Sequence, residues 1–174
     1  MTRADRHPAQ TAETRETPEA ETPAAGAPPS DLMLCFALYS ASHAMHRVYR
    51  PWLERMGLTY PQFLAMTALW ARDGRLVGEL CAELRLATST LTPVLKRLEA
   101  MGLVERARDR GDARAVRVTL TEDGRVLRGK TEGLSEALIE ATGLPVERLL
   151  ALNAEVAALR DRLSAWAETR DAAA

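Results

Sequence analysis

Residues 78–120 read GELCAELRLATSTLTPVLKRLEAMGLVERARDRGDARAVRVTL, and the fold turns on them. "GELCAELRL" reads as a two-turn helix. "ATSTLTPVLKRLEAMGLV" places Leu91, Val94, Leu95 and Leu98 on one helical face, with Gly102 set to stop it. After that glycine, "LVERARDRGDARAVRVTL" has strand character at both ends and alternates cleanly at "VRVTL". Its charged middle, "RDRGDAR", reads as the long tip of a β-hairpin.

Short helix, turn, helix, hairpin is the order of a winged helix-turn-helix. The second helix of such a unit enters the major groove of double-stranded DNA with its N-terminal residues near base edges. Here that end carries Thr88, Ser89, Thr90 and Thr92, followed by Lys96 and Arg97. Small hydroxyls there can cap the helix, contact phosphates and approach base edges. Capping alone would account for Thr88, but not for four hydroxyls in five residues. From Val94 to Arg117 seven basic residues stand against four acids, so the segment is net +3 in a chain of net charge −1. Arg110 and Arg114 flank the hairpin tip, where a guanidinium could reach a minor groove. Asp112 is placed to hold the Arg114 side chain by a charge-assisted pair. A lone hairpin of this composition would be a solvated charged loop; beside a hydroxyl-rich helix the DNA reading is preferred.

Outward from this unit the chain stays mostly helical. Residues 1–30 are rich in Ala, Pro, Thr and Glu and have almost nothing to bury, which predicts a disordered tail. Ser30 or Asp31 can cap a first helix running from about Leu32 toward Met56, which Pro51 should bend or split. "LTYPQFLAMTALWARDG" opens a second helix with Thr59 and Gln62 as a capping box and Gly74 at its end. A short extended "RLV" leads into the two-turn helix. Thr121 caps a helix after the hairpin, and Pro145 suits the first turn of a last helix reaching about Trp166. Leu149, Leu152, Val156, Leu159 and Leu163 on that helix form a stripe that is either core or a partner-facing seam. The fold class is mainly α with a small β-hairpin. One domain is expected over 31–168, with DNA binding in about 59–120, dimerisation by 31–56 and 121–168, and a C-terminal tail at 169–174. At 174 residues there is room for one sizeable core.

No run of eighteen apolar residues predicts a membrane span, and the N-terminus lacks the apolar core of a signal peptide. The expectation is a cytoplasmic protein whose two cysteines are reduced thiols. Aromatics are only 5%, which makes each tyrosine worth placing. Tyr39 lies one helical turn after Cys35 and shares its face. Tyr49 points to the same side but would lie roughly 21 Å along the axis, beyond reach of the thiol on its own helix. Any contact with Cys35 must therefore be made to a second subunit, as in a two-fold dimer reading inverted repeats. Phenol donors and a helix N-terminus both favour a thiolate, the form that attacks peroxides and becomes a sulfenic acid. The plainer alternative is a small buried cysteine among core tyrosines. His43 and His46 are spaced to share a metal, but no cysteine or acid joins them on that face, and no metal or other cofactor is expected.

The runs "LCFALYSASHAMHRVYRPWLERMGLTYPQFLAMTALW", "LTPVLKRLEAMGLV" and "DARAVRVTLTEDG" resemble the MarR family of transcription regulators over about residues 31–168. The run "CFALYSAS…YRP…LTYPQ" is similar to its organic-hydroperoxide-sensing (OhrR-like) branch. The resemblance implies a homodimer in which a reactive cysteine, here Cys35, is hydrogen-bonded by two tyrosines of the partner subunit, matching Tyr49 and Tyr60, with Tyr39 as a further phenol close by. It also implies that Asp112 and Arg114 form the wing-tip pair. "ATSTLTP" departs from the branch's usual "DSGTLTP" at Ala87 and Ser89, which shifts the expected operator preference. No cysteine follows the wing, which resembles the one-cysteine type, inactivated by a mixed disulfide with a low-molecular-weight thiol or by over-oxidation. Cys81 is expected to be a packing residue. The implied function is a DNA-binding repressor, not an enzyme, released from its operator when an organic hydroperoxide oxidises Cys35. The alternatives are a repressor displaced by a phenolic or lipophilic ligand with Cys35 incidental, and a thiol peroxidase, for which a resolving cysteine is missing.

Overall fold

A computed structural model describes residues 33–109 and 111–172; the expected tail 1–30, the candidate caps of the first helix Ser30 and Asp31, its expected start at Leu32, and Arg110 lie outside them. Helix α1 covers Leu34–Met56 and is not split at Pro51. There follow α2 (Tyr60–Ala71), β1 (Arg75–Leu76), α3 (Val77–Leu84), α4 (Thr88–Ala100), β2 (Val104–Arg108), β3 (Val116–Leu120), α5 (Glu122–Leu127), a 3-10 turn (Arg128–Thr131), α6 (Leu134–Thr142) and α7 (Val146–Asp171). The last helix thus runs past its expected end at about Trp166 and into the expected C-terminal tail 169–174, and Pro145 is its N-cap rather than a member of its first turn. Among the described residues no helix is long and apolar enough to cross a membrane.

The chain divides into two units, Met1–Tyr39 and Ser40–Ala174. Of the first, the described part is the opening of α1, where Met33, Leu34, Phe36 and Leu38 are exposed. The second holds the core. Met66, Leu69, Leu80, Leu91, Leu95, Leu98, Val104 and Val118 are its fully buried large side chains. Leu91, Leu95 and Leu98 recur at four and three residues, so one stripe of α4 is inside while its hydroxyl and basic residues stay outside. Each such leucine stabilises the fold by about 1.5–3 kcal/mol. Gly102, at φ +72°, turns the chain out of α4 and into the sheet.

The sheet is antiparallel and three-stranded in the order β1-β3-β2. Val104 pairs with Leu120 and Arg108 with Val116, as a hairpin requires. The extended "RLV" does more than lead into a helix: Arg75 pairs with Val118 and Leu76 with Arg117, closing the free side of β3. At α2 the capping arrangement is one-sided. Gln62 Oε1 accepts both the Thr59 N–H at 2.7 Å and the Thr59 hydroxyl at 3.1 Å.

One hydrogen bond caps α5 and two seat it against the helix-turn-helix. The Thr121 hydroxyl accepts the Gly124 N–H at 3.0 Å and donates to the Gly102 carbonyl at 2.6 Å. Trp70 Nε1 donates to the Gly124 carbonyl at 2.8 Å. Gly124 is the tightest point of this joint, since a Cβ there would lie 2.0 Å from the Leu103 carbonyl oxygen. Gly124→Ala should therefore destabilise the fold by roughly 1–3 kcal/mol, the usual range for overpacking. A urea midpoint equal to wild type would show that the joint yields without cost.

Candidate functional site

The recognition-helix hydroxyls lie at the start of α4, where Ala87 occupies the N-cap position and offers no side-chain cap. Thr88 is therefore the first helical residue, not a cap. Its hydroxyl sits 3.6 Å from Cys81 Sγ, and Cys81, half-buried, packs against the core as expected. Thr88, Ser89, Thr90, Lys96 and Arg97 are exposed, and Thr92 is partly buried. Pro93 lies inside α4 and has no N–H to return to the Ser89 carbonyl, which leaves that acceptor open in the same turn.

The wing brings Asp112 and Arg114 to this helix. Thr88, Thr92 and Leu95 share with Arg106, Asp112 and Arg114 a hollow of about 430 Å³ between α4 and the hairpin. The expected ion pair at the tip takes a different form. Asp112 Oδ1 accepts the backbone N–H of Arg114 at 2.9 Å, so it shapes the turn and leaves the guanidinium outside. An Asx-type turn of this kind satisfies the backbone locally, and an aspartate two residues ahead is well placed to make one.

Asp109 is the tip's main anchor, and the sequence reading passed over it. Its Oδ2 accepts from Gly111 N–H at 3.0 Å and Asp112 N–H at 3.2 Å. Its Oδ1 binds Arg117 Nε at 2.8 Å and Nη2 at 2.6 Å. The Arg117 guanidinium first, then the Gly111 amide, hold the Asp109 carboxyl below the usual aspartate value. Arg117 also donates to the Gly74 carbonyl, which ties the wing to the end of α2. Two aspartates spaced three apart around a glycine were the available signal. These bonds revise the charge argument. Arg117 is paired to Asp109 and Arg106 to Glu99, whereas Lys96, Arg97, Arg108 and Arg114 form no ion pair among the described residues. The basic surface facing outward is thus smaller than the formal total but made of unspent charges.

Of the thiol residues, Cys35 is exposed on the opening of α1, in the first unit, as is Tyr39. Tyr49 and Tyr60 belong to the second unit and come together there from two helices. Their ring centroids are 5.2 Å apart at an interplanar angle of 67°, an edge-on contact. Tyr49 also meets Phe63 at 5.8 Å, and Tyr60 meets His46 at 4.6 Å. Burial pushes both phenols above their ordinary value, and for Tyr49 the nearby Tyr60 adds to it. At neutral pH both are protonated and remain hydrogen-bond donors. His43 and His46 rings are 6.4 Å apart, and no group of three or more metal-ligand side chains occurs among the described residues.

Comparison with known proteins adds four findings to this geometry. A family model described as transcriptional regulator SarA/Rot matches residues 47–130. The chain is 47% identical over 137 residues to the HTH-type transcriptional regulator TtmR of Methylorubrum extorquens, covering 79% of this chain and 70% of that one. It is 44% identical over 97 residues to the organic hydroperoxide resistance transcriptional regulator of Bacillus subtilis, covering 56% of this chain and 66% of the relative. The solved structure of reduced AbfR bound to DNA, a Staphylococcus epidermidis protein, superposes with a TM-score of 0.61 at 32% identity, over 75% of this chain and 91% of the other. With its wing, its hydroxyl-bearing recognition helix and these relatives, the chain belongs to the MarR family of winged helix-turn-helix, DNA-binding transcriptional regulators.

Proposed function

We propose that this regulator is a homodimeric repressor that holds an inverted-repeat operator and releases it when an organic hydroperoxide oxidises Cys35. The observation that carries the reading is the Tyr49–Tyr60 pair, two protonated phenols 5.2 Å apart on separate helices. In an apolar core such a pair needs no chemistry. Beside an exposed thiol from a second subunit it supplies two donors to the charged form of sulfur, each bond worth about 1.5–3 kcal/mol. The likeness to the Bacillus subtilis organic hydroperoxide resistance regulator supports the choice of oxidant.

Dimerisation is supported by what the single chain leaves open. No residue of α7 is buried, and Leu150, Leu163 and Trp166 are more than half exposed on it. A 26-residue helix with that surface calls for a partner, and a second copy with two-fold symmetry meets the spacing of an inverted repeat. The DNA-binding part is the winged unit, about 59–120; α1 and the helices after the wing form the dimer region. Thr88, Ser89, Thr90 and Thr92 face the groove, Lys96 and Arg97 face phosphates, and Arg110 and Arg114 serve the wing, with Asp112 shaping its tip. The place of work is the cytoplasm, where the DNA is.

In the sensing step the Cys35 thiolate attacks the terminal oxygen of the hydroperoxide. The O–O bond breaks as the S–O bond forms, the hydroxyl passes to sulfur, and the departing alkoxide takes a proton to become the alcohol. Sulfur is oxidised and the peroxide reduced, once per subunit, so the chain acts as a switch and not as a turnover enzyme. A low-molecular-weight thiol then condenses with the sulfenic acid, forming a mixed disulfide and water. Either product has lost the thiolate that Tyr49 and Tyr60 bind, and the dimer helices shift with it.

A gel shift with rising cumene hydroperoxide tests the reading. Wild-type protein should leave its operator, and Cys35→Ser should remain bound across the same range. Release of both proteins alike would favour a ligand-displaced repressor with an incidental thiol.

Arg114→Ala tests the DNA face. The Asp112 bond is made by the backbone N–H at 114, so alanine keeps the tip and removes only the guanidinium. Affinity should fall, and the slope of log K against log salt should drop by about one. Unchanged affinity and slope would mean that the hairpin does not touch the duplex.

A further inference from the structure

From Glu122 to Thr142 the chain is helical except at one break. Helix α5 tightens into the 3-10 turn Arg128–Thr131, Glu132 turns extended at ψ 135°, and Gly133 takes φ +79°, a left-handed conformation that glycine adopts freely. Leu127 and Leu134, on either side of the break, are buried in the core, whereas residues 128–130, Glu132 and Gly133 are exposed. In an unbroken helix the carbonyls of Lys130 and Glu132 would accept from the amides four residues on. Here side chains of α1 take them. Trp52 Nε1 donates to the Glu132 carbonyl at 3.0 Å, and Arg55 Nη2 donates to the same oxygen at 3.2 Å and also to the Lys130 carbonyl. Lys130 Nζ donates back to the Arg55 carbonyl at 3.3 Å. The Arg55 guanidinium lies over the Trp52 ring, 5.8 Å from its centroid, so the two side chains act as one clamp.

We propose that Trp52 and Arg55 are the positioning residues that carry the state of the thiol to DNA, by holding this break in the bent form that suits the operator. The inference rests on the Cys35 reading above and names the joint through which it acts. Trp52 follows Tyr49 by one helical turn, and both pack on the core, so a shift of α1 that follows loss of the Tyr49 donor bond displaces the indole too. The acceptors it leaves are main-chain carbonyls, which amides of the same segment can take as the linker straightens. At its other end α5 is seated on Gly102 and Leu103, so the direction of the linker sets that of the recognition helix and wing. A segment with two main-chain arrangements, biased from both ends, is the element that coupling between distant sites needs.

The test compares full-length protein reduced and after treatment with cumene hydroperoxide and free cysteine, with peptide mass spectrometry confirming that Cys35 carries the modification. On oxidation the operator Kd of wild type should rise roughly tenfold or more, within the usual span of coupling between sites. Trp52→Phe keeps a ring and removes the N–H, and Arg55→Met keeps the stem and removes the donors. Each should bring that ratio down to about threefold or less, while Cys35 reacts with peroxide at the wild-type rate. Arg55→Lys, which keeps a charged donor, should recover part of the ratio. An undiminished ratio in Trp52→Phe and Arg55→Met overturns the proposal, as does a smaller ratio that comes from slower oxidation of Cys35. The break is judged separately, whether or not a clamp variant folds. Asparagine tolerates positive φ and alanine resists it, so Gly133→Ala should weaken operator binding by the reduced protein severalfold more than Gly133→Asn. Equal binding by those two variants means that the bent linker is not the DNA-binding form, and the proposal fails. Peroxide release of Cys35→Ser would bring down the thiol switch and the clamp with it, whereas a normal loss of response there, beside undiminished ratios in the clamp variants, removes the clamp alone.

Discussion

One carboxylate, that of Asp73, holds the parts of the winged unit in register. Its Oδ1 accepts the N–H of Gly74 at 2.7 Å and that of Leu120 at 2.8 Å, and its Oδ2 meets Arg125 at 2.6 Å. The end of α2, the last residue of β3 and α5 are thereby tied to a single side chain. Burial would push this carboxyl up, but the Leu120 amide, the Arg125 guanidinium and the Gly74 amide outweigh it and hold it below the ordinary value. The group is thus charged throughout the neutral range, and its contribution is lost progressively as pH falls from the ordinary aspartate value through that lowered one. The core leucines of α4 and the side chains packed on them supply burial energy, but apolar burial is non-directional. Where the wing stands relative to the recognition helix is set by directional bonds at Asp73, Asp109 and Gly124.

The same kind of bond joins the end of α1 to the segment after the wing. Trp52 Nε1 donates to the Glu132 carbonyl at 3.0 Å, and Arg55 donates to the carbonyls of Lys130 and Glu132. Lys130 Nζ returns a bond to the Arg55 carbonyl at 3.3 Å. From there α5 is seated on Gly102 and Leu103 by Thr121 and Gly124, at the junction of recognition helix and wing. Arg85 and Asp161, 3.0 Å apart, link the helix-turn-helix turn to α7. Arg85 is the one positive-φ residue other than glycine among those described, at φ +52°. A displacement of α1 or α7 therefore has polar, geometrically exacting contacts to pull on. Coupling between these helices and the recognition unit requires contacts of this kind.

Periodicity made most of the fold legible. The stripe Leu91, Leu95, Leu98 located α4, the alternation of "VRVTL" located β3, and Thr121 was readable as a cap because its hydroxyl serves its own helix. Long-range bonds were not legible. Nothing local told that Arg75 and Leu76 would pair with β3, that Asp73 would reach Leu120, or that Asp109 would organise the wing tip in place of an Asp112–Arg114 ion pair. Thr88 looked like a cap because hydroxyls usually are, but the helix begins one residue earlier than that role needs. Of the residues proposed to sense peroxide, helix geometry pointed to a second subunit and a family resemblance supplied Tyr60. The approach of Tyr49 to Tyr60, set by the crossing of α1 and α2, was visible only in three dimensions.

The central claim is that the state of one sulfur sets the occupancy of DNA. The most direct measurement follows both quantities in the same tube, titrating the operator-bound protein with cumene hydroperoxide while peptide mass spectrometry reads each cysteine. The account predicts that oxygen or a mixed disulfide accumulates on the Cys35 peptide in step with DNA release, while Cys81 stays a thiol. Release with Cys35 still reduced, or oxidation that tracks Cys81 instead, would contradict it.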